Sequence, residues 1–366
     1  MANSTVFQRY FLPGFVFQSV VIAGGYGTGR ELVEFFMSHG PLGGLLAMGL
    51  ISTAIWSAVC AVSFELARMY RSYDYRHFFQ HLLGRGWFLY ELCYFALMLI
   101  VLAVIAAATG EILRDSFHLP YAFGVMGMMI AVGFLAFRGS GLIEKFFASW
   151  SFVLYSVYIV FFAWAFSLFG SDILASLQSS TPGTRWLLGG VEYAAYNLAL
   201  VPAILFTIRH SGSRRDAITA GLLAGPIAMM PAVLFYLAMV GQYPAIMGEA
   251  VPANFLLDIL GSRSFRMVFQ LVLFGTLIET GTGMIHAVNE RVAARFRERG
   301  RELPPFGRPT MAVALLTAGA FVASFGLIDL IAKGYGTLTW FFLVVFVIPV
   351  LTIGVWKIAH TPAETA

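Results

Sequence analysis

Apolar stretches, each near the length needed to cross a bilayer and separated by short polar breaks, recur along the whole chain. A hydrocarbon core of about 30 Å asks for about 20 mainly apolar residues per spanning helix. Reading the runs against Gly, Pro and charged breakers predicts ten helices, over 12–37, 41–70, 87–114, 121–138, 143–169, 188–209, 216–242, 264–297, 309–328 and 335–357. The expected fold class is an all-α integral membrane protein. Two of the runs are interrupted by residues that do not sustain a helix, so helices one and six are expected to be discontinuous.

Composition supports this class. The apolar share is 59% and the charged share 11%, against about 25% charged in soluble domains. The net charge of +4 reports topology and not nucleic-acid binding, because the basic residues fall mainly in alternate loops. Only Arg114, Arg185, Arg263, Arg266 and Lys333 lie on one side; leaving out Arg30, which sits within helix one, the other 17 of the 23 Lys and Arg lie on the opposite side. The positive-inside rule then places both termini in the cytoplasm, and the cell inner (cytoplasmic) membrane is the expected location. Cys60 and Cys93 lie inside apolar runs without metal-ligand spacing, so a disulfide framework or zinc site is not supported. The apolar run after Arg9 contains Phe11 and Pro13 and no small-residue cleavage site, so it reads as a first helix and not as a removable signal.

The stretch Ser179–Thr184 divides the helices into two sets of five. Five is odd, so the second set must run inverted relative to the first. This organisation gives a first repeat at 1–178, a linker at 179–184 and an inverted repeat at 185–366. Amphipathic stretches follow helix two (Tyr75–Leu83) and helix seven (Pro252–Leu260), helices three and eight are the long ones, and helices four and nine the short ones. Inverted repeats with discontinuous helices are a mark of secondary transporters, whose site lies near the midplane.

Helix one carries Ala23-Gly24-Gly25-Tyr26-Gly27-Thr28-Gly29-Arg30-Glu31. Nearly contiguous glycines tolerate irregular backbone, which survives at membrane depth only when buried in protein or lining a cavity. A half-helix restarting near Thr28 would aim free amides at a carboxylate. Helix six offers a matching break between Glu192, Tyr193, Tyr196, Asn197 and Pro202, where the proline frees a carbonyl near Leu198. Intramembrane ionisable groups are functional candidates by default. Glu279 lies near the middle of helix eight, on a polar stripe with Thr276, Thr282, Gly283, His286 and Glu290, and beside Thr280. The stripe suits either Na⁺ coordination or a proton relay from Glu279 to His286. Glu31 and Glu34, with Arg30 and Asp329, are candidates for an outer gate. Trp56, Trp150, Trp164, Tyr155 and Tyr158 read either as cavity walls or as packing.

Gly24–Phe36, GGYGTGRELVEFF, resembles the helix-one motif of the YkvI family of membrane transporters. More distantly, the ten-helix layout resembles the amino acid–polyamine–organocation superfamily with its LeuT-type five-plus-five fold. The resemblance implies a substrate site between the breaks of helices one and six, flanked by helices three and eight. It also implies a cation site made by helix-one carbonyls near Ala23 and Tyr26 with the hydroxyls of Thr280 and Thr282. Glu279 beside those threonines departs from the sodium-coupled members and leaves Na⁺ and H⁺ both open.

The expected function is therefore cation-coupled symport of a small amino-group-bearing solute, an amino acid, quaternary amine or polyamine. Gly25, Tyr26, Gly27, Thr28 and Gly29 would meet one end of it, with the carboxylate at Gly27–Gly29, and Glu192, Tyr193, Tyr196 and Asn197 the other. No cofactor is expected beyond a bound Na⁺. The expected partners are the solute and the lipid bilayer. An enzyme is not expected, since His286 and Asn289 lack an HxxE or GxSxG pattern and Ser149 and Ser151 lack a base. A solute-sensing receptor is the other reading.

Overall fold

A computed structural model of the chain describes residues 5–22, 24–138, 140–298, 300–304 and 306–360. Within these, the side chains at 24, 137–138, 140–152, 287, 290, 294–295 and 297–298 lie outside the described set, as does Ala23. Every regular element among the described residues is helical.

The first apolar run forms three pieces, α1 (Leu12–Val21), α2 (Gly24–Thr28) and α3 (Arg30–Phe35). Then follow α4 (Pro41–Met69), the amphipathic α5 (Tyr75–Leu83), α6 (Trp87–Phe117), α7 (Tyr121–Arg138) and α8 (Ser140–Ser179). The second half consists of α9 (Trp186–Leu198), α10 (Val201–His210), α11 (Arg214–Val240), α12 (Pro252–Leu260), α13 (Arg263–Glu298), α14 (Gly307–Ala323) and α15 (Leu327–His360). Local signals account for several boundaries. Asp74 caps α5 by accepting from the His77 amide at 3.0 Å, and Ser213 caps α11 by accepting from Asp216 at 3.2 Å, each satisfying a first-turn donor. Gly261, at φ 70°, ends α12 in the left-handed conformation.

Among the described residues, six helices are long and apolar enough to cross a membrane: Pro41–Met69, Tyr75–Phe117, Val153–Ser179, Arg214–Val240, Arg263–Ala293 and Leu327–His360. The pair α9 and α10, bent by 43°, makes a seventh if taken as one span. Tyr121–Ala136 and Gly307–Ala323 are apolar but shorter, and the first run is cut into pieces. The two amphipathic stretches form helices with the expected bounds. The length pattern differs from expectation in one respect. α8, at 40 residues, is longer than α6 at 31 or α13 at 36, because it continues through the weakly polar 170–179 stretch before the linker stops it.

The helices pack in two sets. α4 and α11 form the most extensive pair, with α1 against α11 and α9 against the first turns of α4. In the second set α6 packs on α7 and α14, and α13 on α7 and α8. α2 touches both α6 and α13, so the glycine-rich break sits where the two sets meet. Lipid-facing positions carry large apolar side chains, such as Ile130 at 71% and Leu92 at 67% exposed.

Close approach between α4 and α11 depends on small residues. A Cβ on Gly221 would fall on the Ala61 backbone, and one on Gly225 would lie 2.7 Å from the Thr53 carbonyl oxygen and against Ser57 Oγ. Such small-residue seams let membrane helices gain packing that lipid cannot replace. Gly127 meets nothing within 4 Å. Gly221→Leu should therefore lower thermal stability in detergent by about 1–3 kcal/mol, the usual range for overpacking, and more if the backbones separate. Gly127→Ala should be neutral or raise it by up to about 1 kcal/mol, as expected for a helix interior.

Candidate functional site

The backbone of the first run departs from helix at two points. Ile22 takes φ −71° and ψ 86° at the end of α1, and Gly29 takes φ 83° before α3, a conformation costly to any residue with a Cβ. The helix thus restarts at Gly24 and again at Arg30, two residues beyond Thr28, where the sequence suggested a restart. The hydroxyl of Thr28 is spent locally, donating to the Gly25 carbonyl at 2.9 Å. Gly27 and Gly29 are closely covered: a Cβ on Gly27 would lie 2.7 Å from Leu273 Cδ1, and one on Gly29 would lie 3.1 Å from Phe235 and from the Met239 sulfur. Gly25 is covered by the carboxyl group of Glu31.

Glu31 folds back along the break. It is 2% exposed, and its carboxyl accepts a hydrogen bond from the Tyr196 hydroxyl of α9. Tyr26, Tyr193, Tyr196 and Tyr335, all fully or nearly fully buried, surround it. Tyr196 stacks on Tyr335 with centroids 4.7 Å apart, and Phe35 and Tyr193 pack on Tyr196 at 5.4 and 5.7 Å. The hydroxyls of Tyr26 and Tyr193 have no hydrogen-bond partner among the described residues.

The second break falls between α9 and α10. Asn197 donates to the Tyr193 carbonyl of its own helix at 3.1 Å, and the carbonyl of Ala199 accepts from the Tyr90 hydroxyl of α6 at 2.8 Å. The carbonyl taken up at this break is thus that of Ala199, one residue beyond the one sequence reasoning marked. Trp56 and Ser52 of α4 bind the carbonyls of Ala194 and Gly190 at 3.2 and 2.7 Å, which fixes α9 against α4.

A cavity of about 280 Å³ lies beside the breaks, lined by Ser19, Val20 and Ile22 of α1, Tyr94 of α6, Leu154 and Tyr155 of α8, Leu200 between α9 and α10, Ala203 of α10, and Thr276, Glu279, Thr280, Gly283 and Met284 of α13. The α1 residues precede the first break and Leu200 and Ala203 follow the second, so the cavity occupies one end of the bundle. At this end Arg9 and the Tyr10 hydroxyl hold Asp216, at 3.8 and 2.6 Å. Tyr155 donates to Gln18 Oε1 at 3.0 Å, and Gln18 donates to the Ile227 carbonyl at 3.0 Å. Thr276 and Thr280 donate to the carbonyls of Val272 and Thr276, each at 3.0 Å, leaving their oxygens free to accept. No Lys or Arg among the described residues pairs with Glu279. Arg291, three turns further along α13, is clamped between the rings of Tyr75 and Tyr94 at 3.9 and 4.0 Å.

The sequence-predicted residues therefore divide. Thr276, Glu279 and Thr280 share the cavity wall; Thr282 is fully buried, with its hydroxyl unpartnered among the described residues, and His286 is exposed. Neither of the last two lines the cavity. Ala23 lies outside the described residues. The substrate candidates of α2 and α9 do not line the cavity either; they form the closed plug above it. Glu192 instead lines a shallow groove with Glu34 and Lys333. Of the gate candidates, Arg30 pairs with Glu34 at 2.8 Å and donates to the carbonyls of Met247 and Glu249 at 2.9 and 3.1 Å, sealing the end opposite the cavity. Asp329 is not its partner: it binds Lys333 at 2.9 Å, one helical turn on. Among the described residues no group of three or more His, Cys, Asp or Glu is arranged to hold a metal ion. Ser19, Tyr94 and Ala203 were missed by sequence reasoning, since small or aromatic residues in apolar helices carry no signal of what they face.

No family model matches the chain. A curated relative from Bacillus subtilis (strain 168), the uncharacterized membrane protein YkvI, is 25% identical over 293 residues, which cover 76% of this chain and 79% of the relative. The chain resembles YkvI along most of its length. That relative is described as a membrane protein. Among solved structures, the Eremococcus coleocola manganese transporter in complex with an aromatic bis-isothiourea substituted compound aligns over 100% of this chain and 91% of its own, at 13% identity and a TM-score of 0.45. At that score the likeness carries no argument about fold or cargo.

The geometry makes one end of the bundle open and the other closed. With Cys60 and Cys93 replaced by serine, Ala203→Cys and Ser19→Cys should react with a hydrophilic maleimide added to the solubilised protein, because both side chains are exposed. Thr28→Cys, fully buried, should stay unmodified under the same conditions; labelling read by mass spectrometry decides it.

Proposed function

We propose that this chain is a secondary active transporter which couples a cation gradient, Na⁺ or H⁺, to symport of a small amino-group-bearing solute. The observation that carries the reading is the cavity at the helix breaks with Glu279 in its wall. Its other surfaces are mainly apolar, with hydroxyls from Thr276, Thr280, Tyr94, Tyr155 and Ser19. A carboxyl with no ion pair among the described residues, set among apolar walls and hydroxyls, suits an ammonium group carrying a short apolar body, whose charge offsets the cost of burying the acid. Small-molecule sites typically have this makeup, with few polar groups in a mostly apolar cleft.

Reciprocal packing supports the five-plus-five inverted repeat. α1 packs on α11 as α9 packs on α4, and α6 packs on α14 as α13 packs on α7; each pair exchanges the two halves. On this reading residues 1–178 and 185–366 are the repeats, and the broken first run and the shorter α7 and α14 complete ten spans. The distribution of basic residues then puts the termini, and the open cavity, on the cytoplasmic side of the cell membrane. In that orientation the Arg30–Glu34 pair is the closed outer gate, and the protein stands open inward. The α2 and α9 residues nearest the plug, Gly25 to Gly29, Tyr193, Tyr196 and Asn197, become accessible when that gate opens.

Thermal-shift screening of amino acids, betaines and polyamines, with and without Na⁺, should identify a ligand that raises apparent stability, about 2.7 kcal/mol at a hundredfold excess over Kd. The same ligand should accumulate in proteoliposomes under an imposed Na⁺ or H⁺ gradient. Binding without accumulation would make the protein a receptor. Glu279→Gln should weaken binding by at least about tenfold, given that a lost charge-assisted hydrogen bond costs about 1.5–3 kcal/mol. Unchanged affinity would remove Glu279 from the site.

A further inference from the structure

Glu31 is not accounted for by the cavity. It is sealed at the opposite side of the break, and the groups facing it from every neighbouring element are aromatic or neutral: Tyr26 from α2, Tyr193 and Tyr196 from α9, and Tyr335 from α15. Arg30, its chain neighbour, is spent on Glu34 and two carbonyls. No Lys, Arg or His among the described residues forms an ion pair with it. One carboxyl oxygen is occupied by Tyr196, and the carboxyl lies so close over Gly25 that a Cβ there would overlap it. A bare carboxylate in such a place carries a large desolvation cost, and among the described residues no cluster of metal-ligating side chains surrounds it to hold a cation. A proton needs none.

We propose that Glu31 is the proton-carrying group of the transport cycle: a neutral carboxylic acid while the plug is closed, held by Tyr196 across the two broken helices, and ionised when the outer end opens. In the outward-open form the hydrated carboxylate takes a proton from external water, forming the acid O–H bond that burial requires, and the plug then closes over the neutral acid. After solute release the same O–H bond breaks to water entering from the cavity side, so one proton crosses per cycle and the carboxylate returns ionised to the outward-open form. The proposal rests on the transporter reading and names its coupling ion, with Glu279 left to the solute.

Infrared absorption of the purified protein in detergent at neutral pH tests it without any solute. In a Glu279→Gln background, the carbonyl band of a protonated carboxylic acid should be present. It should be lost on adding Glu31→Gln, and should shift to higher frequency with Tyr196→Phe, which removes the hydrogen bond but keeps the acid. Loss of carboxylate bands instead of the acid band would overturn the proposal, and should Glu31→Gln not fold, an unshifted acid band in Tyr196→Phe would do so. In proteoliposomes with alanine, glycine betaine or putrescine as probes, Glu31→Gln should lose accumulation driven by a proton gradient but keep exchange of labelled for unlabelled probe. Full accumulation by the variant would also overturn it. Failure of the unaltered protein to accumulate any probe would count against the transporter reading alone, since the infrared bands decide Glu31 independently.

Discussion

A helix that breaks inside a membrane exposes amides and carbonyls that lipid cannot solvate, and each must be met by protein. That constraint organises this molecule. At the first break the Thr28 hydroxyl takes the Gly25 carbonyl and the carboxyl of Glu31 closes over Gly25. At the second, Tyr90 takes the Ala199 carbonyl and Asn197 turns back on its own helix. The two solutions are joined, because the same Glu31 carboxyl also binds Tyr196 on the other broken helix. A local backbone problem in one half of the chain is thereby solved with a side chain shared with the other half.

The rest of the architecture follows from giving these breaks a dry surround. The α4–α11 seam, closed through Gly221, Gly225 and Ala61, holds the first set of helices together. α6 and α13 present the other wall. Where the two sets fail to meet, on one side only, the cavity with Glu279 remains. Two buried or partly buried acids, on opposite sides of one break, are the chemistry that the bilayer would otherwise select against.

Element positions were largely legible in the sequence, because twenty-residue apolar runs and their breakers report the bilayer directly. The amphipathic Tyr75–Leu83 and Pro252–Leu260 were placed with matching ends. Burial direction was less legible. Glu31 and Glu34, three residues apart, were both gate candidates, yet Glu31 is buried in the plug while Glu34 reaches Arg30. Both follow Gly29 on α3, so the difference lies in their partners: Glu31 meets Tyr196 of α9, and Glu34 meets Arg30. The nearly contiguous glycines read as a ligand cradle; Leu273, Phe235 and Met239 cover two of them, and chain-distant packing of that kind leaves no local trace. Glu31 and Tyr196 are 165 positions apart. Asp329 looked available to Arg30 only because the Lys333 one turn away was not weighed as its nearer partner.

Arg291 links the cavity to the amphipathic α5. Its guanidinium is stacked between Tyr94, which lines the cavity, and Tyr75, which opens the amphipathic α5. Tyr94 therefore cannot change rotamer without unstacking the arginine, and the arginine cannot leave without freeing the first turn of α5. The wall of the cavity and the amphipathic α5 are thus joined through one stacked guanidinium, so a change of shape in the chamber is carried to a helix outside it.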